Sequence, residues 1–303
     1  MREVEIMQNL QALLLIFYVV TLSFGKISAR YLTFYFDAVT LGFFQHLVGS
    51  LSLLLISYFF LKGNLRKIIK NHRQLSEVVV LGALWSIIYF LYIKGLSYTS
   101  ATIGSLMSVF GLLMGIGLVG LFFSDEKKTI KRKSFIAGSI FAIFGVIGLN
   151  LSKGIAIPEY SLGIYYLTVA EILAGGSSLL RKRLVITTSS PVCLSSLITV
   201  FASMFFFIGA LFFGDLRKIV RVSFFTNVIL FGSGVYSLMI GAGLSLVYIK
   251  KFGLSKVNLI RLSLPVFTGM FAYLLLKESL SVLQVFFATI LVAGCLVAIK
   301  KKA

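Results

Sequence analysis

The stretch IMQNLQALLLIFYVVTLSFG, residues 6–25, decides the fold because it holds no charged side chain. A helix of about 20 mostly apolar residues crosses a hydrocarbon core of about 30 Å. Nine further stretches of this kind follow, and the chain of 303 residues is 58% hydrophobic with a mean hydropathy of +1.00. The sequence therefore predicts an all-α membrane protein with ten transmembrane helices.

The predicted spans leave only short connections between them, with no room for a soluble domain. They cover residues 8–29, 38–61, 75–97, 100–123, 134–151, 160–180, 192–213, 225–249, 254–276 and 280–299. A transmembrane barrel is excluded because its alternating segments of about ten residues are missing from the sequence.

The distribution of the net charge of +19 predicts an orientation rather than a nucleic-acid site. Of the 29 lysines and arginines, 20 fall on the side of the two termini and 8 on the other, while Arg261 lies within a span. Cytoplasmic loops carry the excess of basic residues, so we expect both termini in the cytoplasm and the chain in the cytoplasmic membrane. Nucleic-acid binding needs a continuous basic face, which this pattern lacks.

The two halves of the chain, residues 1–155 and 156–303, resemble each other. The spacing from Leu113 to Glu126 equals that from Pro265 to Glu278. Five spans in each half force the second half to insert upside down, and the charges of equivalent loops agree with this. The sequence therefore predicts two inverted five-helix repeats, an architecture of secondary transporters that bind substrate near the membrane midplane.

Several of these residues resemble the EamA family of the drug/metabolite transporter superfamily. They are the stretch from Pro265 to Leu280, Lys26, and Arg181-Lys182 followed by Pro191. The resemblance implies ten helices around a central cavity, formed mainly by spans one to four and six to nine.

The chain departs from the family pattern at two helices that would line this cavity. It carries Gln45 and His46 where an arginine is usual, and Leu113 where a proline is usual. These departures weaken the expectation of a family-typical substrate.

Two ionisable residues inside spans are the first candidates for substrate binding. Glu171 and Arg261 each cost about 2.5–3.5 kcal/mol on insertion scales, so each needs a partner or a wet cavity. We expect them to form an ion pair or to bind the two ends of a zwitterionic substrate, and Glu171 to couple transport to H+. The competing interpretations are a snorkelling Arg261 and a protonated Glu171 that is bonded to a neighbouring Ser or Thr.

Polar and aromatic residues extend the candidate site. His46 and Gln45 supply polar groups in span two, although a lone His of this kind is commonly a packed core residue. Trp85 and Tyr89 share a face of span three, where they form a cavity wall or plain helix packing. Lys26 lies near a span boundary and is expected to snorkel to the headgroups.

Three further residues are expected to be structural. Gly111 and Gly115 allow close approach of a helix, and Pro265 frees a carbonyl in the middle of span nine. No further His, Cys or carboxylate lies at ligand spacing from His46, so no metal site and no cofactor are expected.

These features predict a secondary transporter of small polar or amphipathic metabolites, with export the expected direction and amino acids the class that the family resemblance favours. No phosphate-binding loop and no catalytic constellation is found, so ATP-driven transport and an enzyme are not expected. The partners would be the substrate, membrane lipids and H+. A flippase of lipids or lipid-linked sugars and a non-transporting sensor or assembly subunit remain alternatives.

Overall fold

The computed structural model describes residues 2–122, 130–154, 158–188, 190–252, 257 and 261–299. Every regular element within these ranges is helical. The elements are α1 (Arg2–Leu32), α2 (Ala38–Lys70), α3 (His72–Tyr98), α4 (Ala101–Phe122), α5 (Lys133–Gly154), α6 (Pro158–Thr187), α7 (Pro191–Phe213), α8 (Lys218–Arg221), α9 (Phe224–Ser233), a π-helical segment (Gly234–Ala242), α10 (Gly243–Phe252), α11 (Leu264–Leu276) and α12 (Val282–Ile299).

Many of these helices have the length and composition of membrane spans. Within the described ranges, α2 to α7 are each long and apolar enough to cross a bilayer. Shorter apolar helices lie at Phe224–Leu238, Leu264–Leu276 and Val282–Ala298. The prediction of an all-α, multi-pass membrane protein is therefore confirmed.

The second span differs from its prediction because α2 does not end at residue 61. The backbone bends at Leu61, where φ is −134° and ψ is 25°, and the helix then continues to Lys70. Leu65 and Ile68 of this extension are buried among apolar side chains of α6 and α7. Their burial explains why a stretch with basic residues, which hydropathy assigns to a loop, folds as a helix.

The eighth and ninth predicted spans are also irregular. The π-helical segment Gly234–Ala242 interrupts span eight. The ninth span turns at Leu262 and Ser263, and α11 starts at Leu264 with Pro265 in its first turn. Pro265 therefore stands at the start of a helix, where its missing N–H costs little.

Two helix pairs make the most extensive contacts in the bundle, α5 with α12 and α2 with α7. The α5–α12 contact depends on glycine. A Cβ added at Gly145 would lie 2.8 Å from the backbone nitrogen of Leu291, and one at Gly294 would lie 2.7 Å from the carbonyl oxygen of Gly138. No side chain fits at these two positions without moving a backbone.

One end of the bundle, which we call the Glu278 end, holds an ion pair between distant parts of the chain. Arg30 Nε lies 2.9 Å from Glu278 Oε1. The backbone N–H of Ala101, at the start of α4, donates to Glu278 Oε2 at 2.9 Å. Arg30 also donates to the carbonyl oxygen of Leu96 at 2.9 Å. Glu278 thus fastens the segment between α11 and α12 to α1 and α4.

Asp37 contributes a second polar contact to the Glu278 end. Its side chain caps α2 by accepting from the backbone N–H of Thr40 at 2.9 Å. Burial alone raises the pKa of Asp37, but the hydrogen bonds from Thr40 and Asp215 and the charge of Lys218 hold it below its ordinary value. The carboxylate therefore stays ionised and binds α2 to the segment after α7.

The opposite end, which we call the Arg183 end, has its own polar contacts. Arg183 Nη2 lies 3.2 Å from Glu77 Oε1. Gln74 Nε2 donates to Thr188 Oγ1 at 2.6 Å. These contacts join the start of α3 to the end of α6.

Candidate functional site

A chain of hydrogen bonds runs through the interior of the bundle from α1 to α6. Lys26 Nζ donates to Tyr92 Oη at 2.9 Å and to Ser108 Oγ at 2.8 Å. Ser108 Oγ in turn donates to Glu171 Oε1 at 2.7 Å. One hydroxyl thus connects an ammonium group to a carboxylate.

Glu171 is held against the backbone of α4. Its side chain is buried, with 9% of its surface exposed. A Cβ added at Gly111 would collide with Glu171 Oε2, so glycine leaves the space that this carboxylate fills. Farther along the same contact, a Cβ at Gly175 would lie 3.1 Å from the backbone nitrogen of Gly115. Gly111 and Gly115 both lie where α4 and α6 approach closely.

Two guanidinium groups complete the charged part of the site. The charges of Lys26, Arg261 and Arg181 act on Glu171, and those of the two arginines act on each other. Arg181 donates to Ser177 Oγ at 3.1 Å. Lys26 and Arg181 are largely surrounded by protein atoms, and both keep some accessible surface. We call Lys26, Glu171, Arg181 and Arg261 the charged cluster.

Aromatic and hydroxyl groups adjoin the arginines. The guanidinium of Arg181 lies 5.1 Å from the centroid of the Trp85 ring, a cation–π distance. Tyr18 of α1 also interacts electrostatically with Arg181. Among the described residues, Trp85 Nε1, Tyr18 Oη and Arg261 Nε are enclosed and have no hydrogen-bond partner.

Gln45 and His46 lie in a separate, more apolar part of the interior. Gln45 Nε2 donates to Ser233 Oγ at 2.6 Å, and its carbonyl oxygen accepts from the Tyr89 hydroxyl. His46 Nδ1 donates to the carbonyl oxygen of Gly42 at 2.8 Å, which fixes the proton on Nδ1. Its ring packs against Tyr89 and Phe206 at centroid distances of 4.7 and 5.0 Å. This is the environment of a packed core histidine.

The described residues contain no group of three or more His, Cys, Asp or Glu side chains that would hold a metal ion. The charged cluster has one carboxylate and three basic groups, a set that suits an anion rather than a cation.

Comparison with known proteins finds similarity to transporters. Residues 161–300 match the model of the EamA-like transporter family. This part of the chain is therefore similar to an EamA-like transporter domain. It is also 25% identical over 300 residues to an "Uncharacterized transporter" of Haemophilus influenzae, with 97% of this chain and 98% of that protein covered. Together with the apolar helices, these matches support a membrane transporter.

A solved structure shares the fold of the whole chain. A protein known from its crystal structure aligns with a TM-score of 0.64 over 95% of this chain and 96% of its own, at 14% sequence identity. The likeness therefore extends beyond the EamA-like domain to the first half of the chain.

The charged cluster draws on both sides of the domain boundary. Glu171, Arg181 and Arg261 lie inside the EamA-like domain, whereas Lys26 and Ser108 lie outside it.

The structure brings together some of the residues that the sequence singled out. Glu171 and Arg261 lie in one cluster, and Trp85 borders it. No ion pair within 4.0 Å joins Glu171 to Arg261, although the structure describes both side chains. Gln45, His46 and Tyr89 form their own group.

The expectation that Lys26 snorkels to the headgroups is wrong. Its ammonium group points inward, where two hydroxyl oxygens and a nearby carboxylate replace the water it would lose. Arg181 was not singled out as a site residue because it belongs to the basic run Arg181-Lys182-Arg183, which reads as a cytoplasmic loop. The structure instead continues α6 through this run to Thr187.

Proposed function

We propose that the protein is a secondary transporter that moves small polar or amphipathic metabolites across the cytoplasmic membrane by alternating access, in the direction of export. The observation that carries this proposal is the charged cluster inside a bundle of apolar helices. Charged groups inside a transmembrane bundle are energetically unfavourable. Proteins keep them mainly where they bind a substrate or move a proton.

The packing of the helices supports two inverted halves. If spans one to five correspond to spans six to ten, the contact of α4 with α6 has its counterpart in the contact of α11 with α1. The contact of α3 with α7 likewise has its counterpart in that of the π-helical segment with α2. The α5–α12 contact and the α2–α7 contact each join two equivalent spans, so exchange of the halves leaves both unchanged. Exchange of the halves thus preserves the partners, as a two-fold relation between the halves requires, and five spans in each half make that relation an inverted one.

Glu278 makes a contact that would break and re-form during the alternating-access transport cycle. It joins the segment after α11 to Arg30 and to the N–H of Ala101, so it links the second half to the first at one end only. With the termini in the cytoplasm, the Glu278 end faces outward. Opening the site to the outside then requires this contact to break, which makes it part of the outer gate.

Counterflow in proteoliposomes tests the proposal. Vesicles loaded with unlabelled solute are expected to take up the same solute in labelled form, and uptake should stop when the internal solute is omitted. A panel of amino acids, organic acids and amines serves as the first screen. Counterflow of no solute, or stabilisation by lipid extract alone, would favour the sensor or flippase alternatives and contradict this proposal.

A further inference from the structure

The charged cluster is not electrically balanced. Lys26, Arg181 and Arg261 are basic, and Glu171 is the described carboxylate on which the charges of all three act. In their ordinary ionisation states these groups leave an excess of two positive charges within the bundle. Buried charges of one sign are unfavourable unless a counter-charge approaches them.

Hydrogen-bond donors near the two arginines also lack acceptors among the described residues. Trp85 Nε1 and Arg261 Nε can only donate, and both lack an acceptor among the described residues. The Tyr18 hydroxyl, which interacts with Arg181, is unpartnered as well. A ligand that satisfies these groups must supply oxygen acceptors, and this requirement does not depend on the charge count.

We propose that the substrate is a small organic dianion, a dicarboxylate or a phosphate monoester, whose anionic oxygens bind Arg181 and Arg261. This proposal rests on the carrier function proposed above and narrows its substrate class. Arginine favours such ligands because its planar guanidinium donates two parallel hydrogen bonds to a carboxylate or a phosphate.

The position of Glu171 distinguishes a dianion from a zwitterion or a cation. A zwitterion would use Glu171 to bind its amino group, so removal of the carboxylate would weaken its binding. A dianion is repelled by Glu171, so removal of the same carboxylate should strengthen its binding. The two substrate classes therefore predict opposite effects of one substitution.

The test measures ligand binding to the purified protein by thermal stabilisation and titration calorimetry. The probes are succinate and glycerol 3-phosphate as dianions, alanine as a zwitterion and putrescine as a cation. We expect stabilisation by one or both dianions only, and the comparison of succinate with glycerol 3-phosphate separates the carboxylate from the phosphate source.

Three variants and two controls test the residues. We expect Arg181→Gln and Arg261→Gln each to weaken dianion binding about tenfold or more. Glu171→Gln should strengthen it, up to about tenfold. Arg73→Gln removes a largely exposed arginine, and Glu159→Gln removes an exposed carboxylate of α6, so neither should change affinity.

Several outcomes would overturn the dianion proposal. Binding of alanine or putrescine in preference to both dianions would do so, as would weaker dianion binding by Glu171→Gln. If an arginine variant does not fold, the probe series on the unmodified protein and the Glu171→Gln arm still decide the question. Counterflow of alanine alone would leave the carrier function in place, whereas dianion binding without counterflow of any solute would contradict only the carrier function.

Discussion

Replacing Glu171 by glutamine is expected to abolish accumulation driven by a pH gradient while counterflow continues. Glu171 Oε1 accepts a hydrogen bond from the Ser108 hydroxyl, which itself accepts one from Lys26. The Ser108 hydroxyl thus links the carboxylate of Glu171 to the ammonium group of Lys26. Protonation of Glu171 raises the charge of the cluster by one and favours an anionic substrate. Binding of the proton and of the anion are then reciprocally linked, so the two move in the same direction and export is driven by the outward concentration gradient of the anion itself.

The magnitude of this effect follows from the proton gradient. One unit of pH difference supports a concentration ratio of about ten for a carrier that moves one proton with each substrate at zero membrane potential. We expect the unmodified protein to approach that ratio and Glu171→Gln to remain near a ratio of about one.

The measurement is uptake of labelled solute into proteoliposomes with the potential clamped, followed by counterflow in the same preparation. Retained counterflow shows that the variant has folded, and Glu159→Gln is the matched control. Full gradient-driven accumulation by Glu171→Gln would contradict the coupling role.

Replacing Gly145 by leucine is expected to prevent folding or to destabilise the protein severely. The added Cβ would lie 2.7–2.9 Å from Cβ, N and Cα of Leu291, and two of these atoms are backbone. Overpacking of a tight contact costs about 1–3 kcal/mol, and more where a backbone must move. Because α5 and α12 form one of the two largest helix contacts, α12 would separate from the bundle.

Gly232→Leu is the matched control for this prediction. A Cβ at Gly232 meets no atom within 4 Å, and the residue is exposed on an apolar helix, so a leucine there faces lipid. Fluorescence-detected size-exclusion chromatography and thermal unfolding compare the two variants. Equal stability of both would show that the α5–α12 contact is not as close as described.

Hydropathy predicted the helices because a membrane-spanning helix needs about 20 apolar residues. It could not predict where packing against other helices extends a helix beyond its apolar stretch. The extension of α2 beyond Leu61 carries charges and is held by Leu65 and Ile68, which contact helices far along the chain. Such burial depends on tertiary neighbours that a window of sequence does not contain. Pro265 was expected to free a carbonyl in the middle of span nine, whereas it lies in the first turn of α11, just after the chain turns.

The charged site was only partly predictable for a related reason. Glu171 and Arg261 stand out because each is ionisable within an apolar span. Lys26 and Arg181 sit near predicted span ends, where sequence alone does not tell a side chain that snorkels from one that turns inward. To predict that Lys26 and Arg181 turn inward, one must know which faces of α1 and α6 contact α3 and α4. Only the three-dimensional packing shows this.

The central claim is that two five-helix halves insert in opposite directions around the charged cluster. Single cysteines at Lys131 and Ser279, both exposed, mark equivalent loops of the two halves, and the native Cys193 and Cys295 are buried. Labelling of oriented vesicles with a membrane-impermeant maleimide should reach Ser279→Cys from the outside and Lys131→Cys only from the inside. Labelling of both positions from the same side would contradict the inverted arrangement, and with it the carrier proposed here.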